Sequence, residues 1–562
     1  MTELMKDIDS TVPGSRAVTP VLDLRDLKVE VSGDGRWTTL VDGVDLTVAA
    51  GETVGLVGES GSGKTITSLA VMQLLPANAR LTGSVRLGGR ELVGLPEQEL
   101  SALRGGAMGM IFQEPRRSLN PAFSVGDQVA ESIRRHEGVD RKAAWARAVE
   151  LFDTVGIADA ARRARDYPHQ FSGGMCQRVM LAIALACHPK LLIADEPTTA
   201  LDVTVQRQVL ELIGDLQAEL GLAVLLITHD LGVVAEVCDR AAVMHRGRVV
   251  EHASVTDLFD RPQDPYTRRL LAARVLPDPP PAPEAAGEPA DVLVVRGLRK
   301  DFVLQRNAFG RPARVHHAVR GVDFSVKAGE TLSVVGESGA GKSTVGRMAL
   351  RLVDPDAGRI DILGQDIARL KGAELRRMRA KATMIFQDPY KSLNPKRQIV
   401  HALAEPMLVQ GGYSPAERSE RILALMDRVG LGPQFLERYP YEMSGGQLQR
   451  VAIARALITD PQIVVCDEPV AALDMSIRAQ VIELLRELQV ERKLAYLFVS
   501  HDLSLVRAIS DRIAVMRQGE IVEIGTPDEL FANPQHAYTC QLLGAVPAPH
   551  PRERTFRVVP AA

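Results

Sequence analysis

The most constraining feature of this chain is that its two halves repeat one another. The segment Thr53–Thr65, TVGLVGESGSGKT, recurs as Thr331–Ser343, TLSVVGESGAGKS. Four further motifs follow in the same order in each half: IFQ at 111–113 and 385–387, SGG at 172–174 and 444–446, DEP at 195–197 and 467–469, and HD at 229–230 and 501–502. A period of roughly 270 residues predicts a duplicated domain rather than a solenoid, whose repeats run about 20 to 50 residues.

A proline-rich stretch separates the two copies. Six prolines lie between Pro277 and Pro289 among alanine, glutamate and glycine, a composition typical of a semi-extended linker. Strand-like alternation restarts at Val292–Val295, as it begins at Val21–Leu24 in the first copy. We therefore predict a tail at 1–18, a first domain at 19–276, a linker at 277–290, a second domain at 291–545 and a tail at 546–562, with both tails short and mobile.

Composition excludes several classes of protein. The 562 residues include 67 Lys+Arg and 70 Asp+Glu, a formal charge of -3, which argues against a protein whose main task is coating nucleic acid. The apolar runs are shorter than the roughly 18 to 20 residues of a membrane span, and the acidic segment Met1–Ser10 lacks the apolar region of a signal peptide. Five cysteines without a C-x-x-C pair indicate a reduced, cytosolic chain with no zinc or iron–sulfur module.

Each half contains a glycine-rich segment of the form G-x-x-x-x-G-K-[ST], between an apolar β-branched run and a predicted helix. Backbone N–H groups of such a loop and the following helix N-terminus are suited to hold phosphate. We expect Lys64 and Lys342 to bridge the β- and γ-phosphates, and the hydroxyls of Thr65 and Ser343 to reach Mg²⁺. The predicted nucleotide-binding residues of the two loops are Gly58, Ser60, Gly61, Ser62, Gly63, Lys64 and Thr65, and Gly336, Ser338, Gly339, Ala340, Gly341, Lys342, Ser343 and Thr344.

Two carboxylates end an apolar run in each half, Asp195–Glu196 and Asp467–Glu468. A buried strand of a parallel sheet delivers such residues to the carboxyl edge of the sheet, where ligands bind. We expect the aspartates to hold Mg²⁺ through water and the glutamates to activate the attacking water as general bases.

Two further polar residues follow apolar runs in each half. His229 and His501 each come 34 residues after the predicted metal aspartate, and a neutral imidazole there is suited to hydrogen-bond the γ-phosphate. Gln113 and Gln387 end other apolar runs. We expect their side-chain amides to reach the metal or the water.

Each SGG motif starts a predicted helix 23 residues before the acidic pair. In this motif the chain resembles the ATPase domains of ABC transporters. The resemblance covers nearly the whole chain, twice. It implies an α/β fold with two P-loop NTPase domains of the ABC type, each with a RecA-like α/β core, an antiparallel β subdomain and a helical signature subdomain. It also implies head-to-tail packing, with each ATP between the P-loop of one domain and the signature helix of the other.

The same resemblance assigns residues to two shared sites. The first combines Lys64, Asp195, Glu196 and His229 with Ser444, Gly445, Gly446 and Gln447. The second combines Lys342, Asp467, Glu468 and His501 with Ser172, Gly173, Gly174 and Met175. Asp202 and Asp474, each in Ala-Leu-Asp, match the loop through which the two sites touch. Met175 departs from the usual glutamine, as is common in the subfamily described next.

The segments FQEPRRSLNP at 112–121 and FQDPYKSLNP at 386–395, and the domain ends DPYTRRLL at 264–271 and HAYTCQLL at 536–543, resemble the oligopeptide/dipeptide importer ATPases, a group that includes nickel and glutathione importers. This resemblance implies ATP and Mg²⁺ as cofactors. Because neither half has a cysteine-rich extension, we expect no iron–sulfur cluster. It leaves open which cargo is carried: dipeptide, oligopeptide, glutathione or nickel.

The importer resemblance also implies partners and a location. We expect two transmembrane permease subunits, docked on the regions after Gln113 and Gln387, and through them an extracytoplasmic substrate-binding protein, but no nucleic acid. The chain would then lie at the cytoplasmic face of the cell membrane as a peripheral subunit.

In this family the adenine stacks on an aromatic residue about 20 residues before the P-loop. Trp37 stands 21 residues before Gly58, and its flat π-face suits that role. In the second half, Phe302, Phe309 and His316 compete for the position.

Two other classes of function fit tandem ATPase domains. A soluble ATPase acting on ribosomes usually has a long, highly charged helix between its domains, and the proline-rich linker disfavours that class. A DNA-repair ATPase of the excision type interrupts its domains with zinc modules, and the absence of C-x-x-C pairs argues against it.

Overall fold

The computed structural model describes residues 19–33, 35–198, 201–273, 290–306, 309, 312–471 and 473–556. The predicted N-terminal tail at 1–18 and all of the predicted linker except Ala290 lie outside the described residues. The described residues at 19–273 and 290–545 form two domains of the same architecture, named domain 1 and domain 2 here, and residues 546–556 are named the C-terminal segment.

Domain 1 combines strands and helices. Its strands are β1 (Leu22–Gly33), β2 (Arg36–Val48), β3 (Thr53–Val57), β4 (Ala79–Leu87), β5 (Arg90–Glu91), β6 (Met108–Ile111), β7 (Leu191–Asp195), β8 (Ala223–Thr228), β9 (Arg240–His245) and β10 (Arg248–Ser254). Its helices are α1 (Lys64–Val71), α2 (Glu97–Leu103), α3 (Pro115–Ser118), α4 (Val125–Glu137), α5 (Arg141–Thr154), α6 (Ala160–Arg163), α7 (Gly173–Leu185), α8 (Val203–Leu220), α9 (Leu231–Val237), α10 (Val255–Asp260) and α11 (Pro265–Ala272).

Domain 2 repeats this order, except that a 3-10 helix at Pro433–Phe435 takes the place of α6. Its strands are β11 (Asp291–Arg306), β12 (Pro312–Lys327), β13 (Thr331–Val335), β14 (Ala357–Ile362), β15 (Gln365–Asp366), β16 (Ala382–Ile385), β17 (Ile463–Asp467), β18 (Ala495–Val499), β19 (Arg512–Arg517) and β20 (Glu520–Gly525). Its helices are α12 (Lys342–Ala349), α13 (Gly372–Arg379), α14 (Pro389–Ser392), α15 (Ile399–Gln410), α16 (Pro415–Arg428), α17 (Gly445–Leu457), α18 (Met475–Arg492), α19 (Leu503–Ile509), α20 (Pro527–Ala532) and α21 (Ala537–Gly544).

Each domain contains one large and one small sheet, and their strand orders match. In domain 1 the large sheet runs β10-β9-β3-β8-β7-β6, and in domain 2 it runs β20-β19-β13-β18-β17-β16. Its strands are parallel except for the last hairpin. The small sheets, β2-β1-β4-β5 and β12-β11-β14-β15, are antiparallel. This architecture confirms the predicted α/β fold with an added antiparallel subdomain.

The large sheet positions the functional loops because its central strands are apolar on both faces. Every residue of β3, β7 and β8 is buried, and the same holds for β13, β17 and β18. Such a parallel sheet is covered on both faces, so the charged residues of these strands, Asp195 and Asp467, lie at strand ends. The motifs of the sequence therefore collect along the carboxyl edge of each sheet.

In each domain a helical region follows the loop that carries Gln113 (residues 112–114) or Gln387 (residues 386–388), named the glutamine loop here. In domain 1 the helices α4, α5 and α7 pack around Phe152 and Ile133, which are fully buried. Capping side chains fix where α4 and α5 begin. The Ser124 hydroxyl accepts from the N–H of Asp127 at the start of α4, and the Asp140 carboxylate accepts from the N–H of Ala143 at the start of α5. None of the helices in the described ranges has the length and apolar character that crossing a bilayer requires.

The C-terminal segment packs on domain 1. Phe556 is buried in the main apolar core of domain 1, with the Arg207 guanidinium 5.1 Å from its ring centroid. His550 Nε2 lies 3.0 Å from the carboxylate of Asp260. The sequence predicts a mobile tail from residue 546, whereas residues 546–556 contact the opposite domain through specific polar and apolar partners.

Candidate active sites

Both glycine-rich loops connect a central strand to a helix, as predicted, and their lysines point back into the loop. Lys64 Nζ donates to the carbonyl oxygens of Gly58 and Glu59, both at 2.8 Å. Lys342 Nζ makes the same pair of bonds, to Gly336 at 2.7 Å and Glu337 at 2.9 Å. Burial lowers the pKa of both lysines, and uncharged carbonyls are weak partners that an anionic phosphate can replace.

The first glycine of each loop is required by space as well as by conformation. Gly58 has a φ of 156° and Gly336 a φ of 148°. A Cβ at Gly58 would lie 2.2 Å from the carbonyl oxygen of Met244, and a Cβ at Gly336 would lie 2.1 Å from that of Met516. Any side chain there would push the loop off the adjacent strand, so the loop shape depends on glycine.

The predicted metal aspartates lie at the ends of β7 and β17, next to the loop hydroxyls. Asp195 is 2% exposed, and its Oδ1 accepts from Thr65 Oγ1 at 3.4 Å. In domain 2 the Ser343 hydroxyl donates to Asp467 Oδ1 at 2.7 Å. Burial, and then the charge of the neighbouring glutamate, raise the pKa of Asp195 to about 6. A hydroxyl and a carboxylate held together in this way form an oxygen donor set of the kind that Mg²⁺ prefers.

The glutamate after each aspartate is held between a glutamine and a histidine. Gln113 Nε2 donates to Glu196 Oε2 at 2.7 Å, and His229 Nδ1 lies 3.1 Å from Glu196 Oε1. Glu196 has a φ of 48°, which is uncommon for a side chain of this size and is found most often where structure is fixed by function.

Domain 2 reproduces this arrangement within 0.1 Å. Gln387 Nε2 donates to Glu468 Oε2 at 2.6 Å, His501 Nδ1 lies 3.0 Å from Glu468 Oε1, and Glu468 also has a φ of 48°. Burial acts to raise the pKa of Glu468, but the hydrogen bonds and charges of His501, Lys342 and Gln387 outweigh it and lower the pKa. A glutamate that stays ionised is suited to accept a proton.

The two SGG motifs begin helices α7 and α17, and the serines cap them. Ser172 Oγ accepts from the N–H of Met175, and Ser444 Oγ accepts from that of Gln447, both at 3.3 Å. The side-chain oxygen of Gln447 in turn accepts from the Ser444 N–H at 3.1 Å. This reciprocal arrangement is a capping box, and Met175 lacks the polar atoms to form one. The departure at Met175 therefore changes the cap of α7 without removing its serine.

The Asp202 and Asp474 loops carry contacts between the domains. Asp202 Oδ2 accepts from the N–H of Ser338 in the glycine-rich loop of domain 2, at 3.4 Å. The charge of Asp202 acts on Lys342, and that of Asp474 acts on Lys64. The next residue of each loop is apolar and packs across the interface. Val203 contacts an apolar cluster of domain 2, and Met475 contacts the core of domain 1.

The aromatic candidates for adenine lie in the first hairpin of each domain. Trp37 is 48% exposed, and the Arg80 guanidinium lies 4.4 Å from its ring centroid. In domain 2, Phe302 and His316 are opposite each other in the β11–β12 pair, and Phe309 is 88% exposed. The geometry is compatible with Trp37 and leaves the three domain 2 candidates open.

Sequence reasoning missed two kinds of residue at these sites. Arg347 Nη2 lies 3.6 Å from Asp467 Oδ2, whereas the matching position of domain 1 is Leu69. Tyr266 and Tyr538 each place a hydroxyl against the glycine-rich loop of their own domain. The signal for the tyrosines was present, because a Tyr-Thr pair recurs in both domain ends, whereas Arg347 breaks the repeat and has no motif around it.

Comparison with known proteins identifies the families. Residues 41–199 and 319–471 match the ABC transporter family. Residues 250–295 and 522–561 match the oligopeptide/dipeptide transporter C-terminal region. The chain is thus built of two ABC transporter segments, each followed by one such C-terminal region.

Individual relatives agree with that result. The glutathione import ATP-binding protein GsiA of Pectobacterium atrosepticum is 47% identical over 580 residues, covering 97% of this chain and 93% of that protein. The protein of the same name from Escherichia coli (strain K12) is 46% identical, with 96% and 92% covered. The ATP-binding cassette MJ0796, solved as a dimer in a post-hydrolysis state with ADP and phosphate, is 29% identical, with a TM-score of 0.38, and covers 42% of this chain and 98% of its own.

The predicted family resemblance is confirmed by the two family matches and by the curated relatives, which cover 96–97% of the chain. Two complete sets of glycine-rich loop, acidic pair, glutamine and histidine are present, one in each domain. The chain therefore belongs to the ABC transporter ATPases, as a tandem member that carries the oligopeptide/dipeptide transporter C-terminal region in each half.

Proposed function

We propose that this chain energises a peptide importer by hydrolysing ATP at two sites, and that its cargo is a short peptide of the glutathione type. The observation that carries the two-site mechanism is the Gln–Glu–His arrangement, which is the same in both domains. The cargo class rests on the glutathione import proteins to which the chain is similar over almost its full length.

The glycine-rich loops bind the phosphates of ATP. In the structure Lys64 and Lys342 are bonded to loop carbonyls, so phosphate binding exchanges two neutral acceptors for charged oxygens. The N–H groups at the start of α1 and α12 face the same space and add the positive end of a helix. Binding is favourable because hydrogen bonds to a charged acceptor are stronger than those to a neutral carbonyl.

The residues present fit Mg²⁺ on the chemistry of their donors. Thr65, Asp195 and Gln113 would hold the ion in domain 1, and Ser343, Asp467 and Gln387 in domain 2. Mg²⁺ supplies charge neutralisation on the phosphate oxygens that it contacts. The fit is supported by the Asp195 carboxylate, which is buried and lies within 3.4 Å of the Thr65 hydroxyl, so that two oxygen donors meet at one point.

Glu196 and Glu468 act as the bases that accept a proton from the attacking water. Gln113 and Gln387 donate to one oxygen of each carboxylate, which leaves the carboxylate fixed in one rotamer. His229 and His501 face the other oxygen through Nδ1, so Nε2 of each ring is left to hydrogen-bond the γ-phosphate. In this role the histidine aligns the glutamate with the phosphate.

Each site is completed by the opposite domain. We assign Ser444, Gly445, Gly446 and Gln447 to the nucleotide held by Lys64, and Ser172, Gly173 and Gly174 to the nucleotide held by Lys342. The bond from Ser338 to Asp202 supports this head-to-tail order, because it joins the loop after one acidic pair to the glycine-rich loop of the other domain. Trp37 is assigned to the adenine of the first site.

The permease subunits dock on the region that follows each glutamine loop. In domain 1 a cleft of about 560 Å³ opens beside Trp145 and Tyr167, next to the exposed Phe123. In domain 2 the exposed Tyr441 stacks on Tyr439 with ring centroids 5.5 Å apart. Aromatic surfaces of this kind are enriched at protein interfaces.

Hydrogen bonds join the proposed docking regions to the residues that precede the SGG motifs, and these bonds can couple permease movement to the nucleotide sites. Arg116 Nη2 donates to the carbonyl of Phe171 at 3.1 Å, and Tyr390 Oη donates to that of Met443 at 3.1 Å. Phe171 and Met443 immediately precede the capping serines Ser172 and Ser444. A permease that moves the docking region therefore moves the residues that face the nucleotide. Through the permease the chain lies at the inner face of the membrane as a peripheral subunit and serves a substrate-binding protein outside it.

The test is cargo uptake by cells that lack this gene. Uptake of labelled glutathione should disappear, return with the parent chain, and stay absent with the double variant Glu196→Gln/Glu468→Gln. Uptake of labelled dipeptide and of Ni²⁺ is measured in parallel. If the deleted cells lose uptake of only one of these two cargoes and keep glutathione uptake, that cargo would replace glutathione in the proposal. Recovery of the tagged chain with ribosomes, and with no integral membrane protein, would overturn the importer itself.

A further inference from the structure

A tyrosine from the C-terminal part of each domain hydrogen-bonds the glycine-rich loop of the same domain through its hydroxyl. Tyr266 Oη accepts a hydrogen bond from the backbone N–H of Glu59 at 3.2 Å. Tyr538 Oη accepts from that of Glu337 at 3.0 Å. Glu59 and Glu337 are the second residues of the two loops, so the two domains make the same contact at the same position.

The loop residue whose N–H each tyrosine accepts also binds the loop lysine through its carbonyl. The carbonyl of Glu59, on the residue whose N–H binds Tyr266, accepts from Lys64 Nζ at 2.8 Å. The carbonyl of Glu337 likewise accepts from Lys342 Nζ at 2.9 Å. Each domain thus contains a continuous chain from tyrosine hydroxyl through one residue of backbone to the lysine ammonium.

Two supports fix Tyr266 in domain 1. The Glu251 carboxylate accepts from the N–H groups of Gln263 and Asp264, at 2.7 and 2.9 Å, and the Asp264 carboxylate accepts from the Tyr266 N–H at 2.7 Å. The Tyr266 ring stacks on His245 with centroids 3.9 Å apart and is 7% exposed. A ring held on both its backbone and its face loses little further freedom when it binds the loop.

Domain 2 builds the same supports from different residues. Glu523 accepts from the N–H groups of Gln535 and His536, at 2.8 and 3.1 Å, and His536 Nδ1 accepts from the Tyr538 N–H at 3.1 Å. The Arg517 guanidinium lies 4.9 Å from the Tyr538 centroid, at the position that His245 occupies in domain 1. The arrangement is retained although the residues around the ring differ.

A buried tyrosine usually finds some hydrogen-bond partner, so one such contact would have little meaning. Here the partner is the same loop residue in both domains. The opposite domain also acts on each hydroxyl. Burial is the main cause that raises the pKa of Tyr266 to about 12 and of Tyr538 to about 12, and the carboxylates of Asp474 and Asp202, across the interface, add to it. The hydroxyls therefore keep their protons at neutral pH.

We propose that Tyr266 and Tyr538 are positioning residues that hold the first half of each glycine-rich loop in the shape that ATP binds, and so couple the C-terminal region of each domain to its nucleotide. The proposal rests on the proposed function, in which Lys64 and Lys342 bind the phosphates. The tyrosines act through the loop backbone rather than on the reacting atoms.

The test replaces each hydroxyl by hydrogen while the ring is kept. Tyr266→Phe and Tyr538→Phe leave a loop N–H without its acceptor, so we expect the ATP dissociation constant of the affected site to rise about 5- to 20-fold. Because the base and metal residues are untouched, kcat at saturating ATP should stay within about twofold while KM rises. Binding is measured on the full chain carrying Glu196→Gln/Glu468→Gln, and kinetics on the otherwise unaltered chain.

A matched control is present in domain 2. Tyr496 is buried and donates its hydroxyl to the carbonyl of Leu485 at 2.9 Å, without contact to a glycine-rich loop. Tyr496→Phe should lower the melting temperature by as much as the other two variants but leave ATP affinity unchanged. If Tyr496→Phe weakens ATP binding equally, the effect is one of general stability, and the positioning role is wrong.

Lys64→Ala and Lys342→Ala separate this proposal from the one on which it rests. If the lysine variants bind ATP like the parent chain, the assignment of the loops fails, and the tyrosine proposal fails with it. If the lysine variants lose ATP while both Tyr→Phe variants keep parental affinity and KM, only the tyrosine proposal is overturned. A fall in kcat at unchanged KM would also overturn it, because that result places the hydroxyl in the chemical step.

Discussion

The carboxylate of Glu236 in domain 1 accepts a hydrogen bond from the backbone N–H of Ala548 in the C-terminal segment, at 2.8 Å. The N–H groups of Thr555 and Phe556 bind the other carboxylate oxygen. Glu236 is fully buried, and the matching position of domain 2 is Ala508. The C-terminal segment is therefore joined to domain 1 by a buried carboxylate that has no counterpart at the matching position of domain 2.

Removing the segment should destabilise domain 1 through that carboxylate. In a chain that ends at residue 545, Glu236 loses its N–H donors and Phe556 leaves the core. We expect the free energy of unfolding of domain 1 to fall by about 3 kcal/mol, since a carboxylate left without buried donors is costly, and its melting temperature to fall by roughly 6 to 12 °C. Calorimetry of the full chain and the truncated chain measures both transitions.

Glu236→Ala is the control for the mechanism of that loss. It removes the buried charge, so truncation should destabilise the Glu236→Ala chain less than it destabilises the parent. Equal losses in both backgrounds would assign the stabilisation to Phe556 and its apolar contacts instead.

The duplicated site predicts two competent bases. Glu196→Gln and Glu468→Gln should each slow turnover, because both glutamates have the same glutamine and histidine partners. The double variant should bind ATP and hydrolyse it about 10²-fold more slowly or worse, the usual contribution of a general base. Phosphate release and retained labelled ATP are measured on the same samples. A single variant that turns over like the parent, with ATP bound at the altered site, would remove the catalytic assignment there.

The site residues that could be predicted from the sequence are those that lie within short sequence motifs. The segments around Lys64, Asp195 and Glu196 are short patterns, and each one carries its strand, loop or helix with it. Because parallel strands end at one edge of a sheet, their meeting in space follows from the fold class. The repeat doubled the evidence for every such segment.

The contacts that sequence reasoning missed join residues with no shared pattern. Glu236 and Phe556 are 320 residues apart, and a glutamate within the apolar stretch of α9 gives no indication of its partner. Arg347 lies beside Asp467 only in the folded protein, and comparison with Leu69 marks it as a departure from the repeat without giving its role. Such pairs follow from packing of whole elements, which local patterns do not determine.

Because Arg347 lies beside Asp467 and domain 1 has Leu69 at the matching position, we expect the two sites to require different Mg²⁺ concentrations. Its guanidinium lies 3.6 Å from Asp467 Oδ2 and is half exposed, so it competes weakly with a cation for that carboxylate. Arg347→Leu should lower the Mg²⁺ concentration for half-maximal activity by up to about fivefold, which corresponds to the roughly 0.2–1 kcal/mol of an exposed pair. ATPase activity is titrated with Mg²⁺ in the Glu196→Gln chain, in which the remaining ATP hydrolysis takes place at the second site.

The reciprocal change gives the control for Mg²⁺. Leu69→Arg in the Glu468→Gln chain should raise the Mg²⁺ requirement of the first site by a similar factor, and Arg347→Lys should resemble the parent because it keeps the charge. If Arg347→Leu leaves the titration unchanged, the guanidinium has no influence on the metal.

The last prediction concerns what holds the two halves together. The proline-rich composition between Pro277 and Pro289 predicts a spacer of about 3 Å per residue that does not set the geometry of the halves. The C-terminal segment, in contrast, makes specific contacts with domain 1. Two halves cut between Pro283 and Pro289 and expressed together should therefore co-purify and retain most of their ATPase activity, with the permease as well as without it. A second half that ends at residue 545 is the matched control and should no longer co-purify without the permease. An inactive permease complex with both cut halves folded and bound would instead make the linker a mechanical part of the cycle.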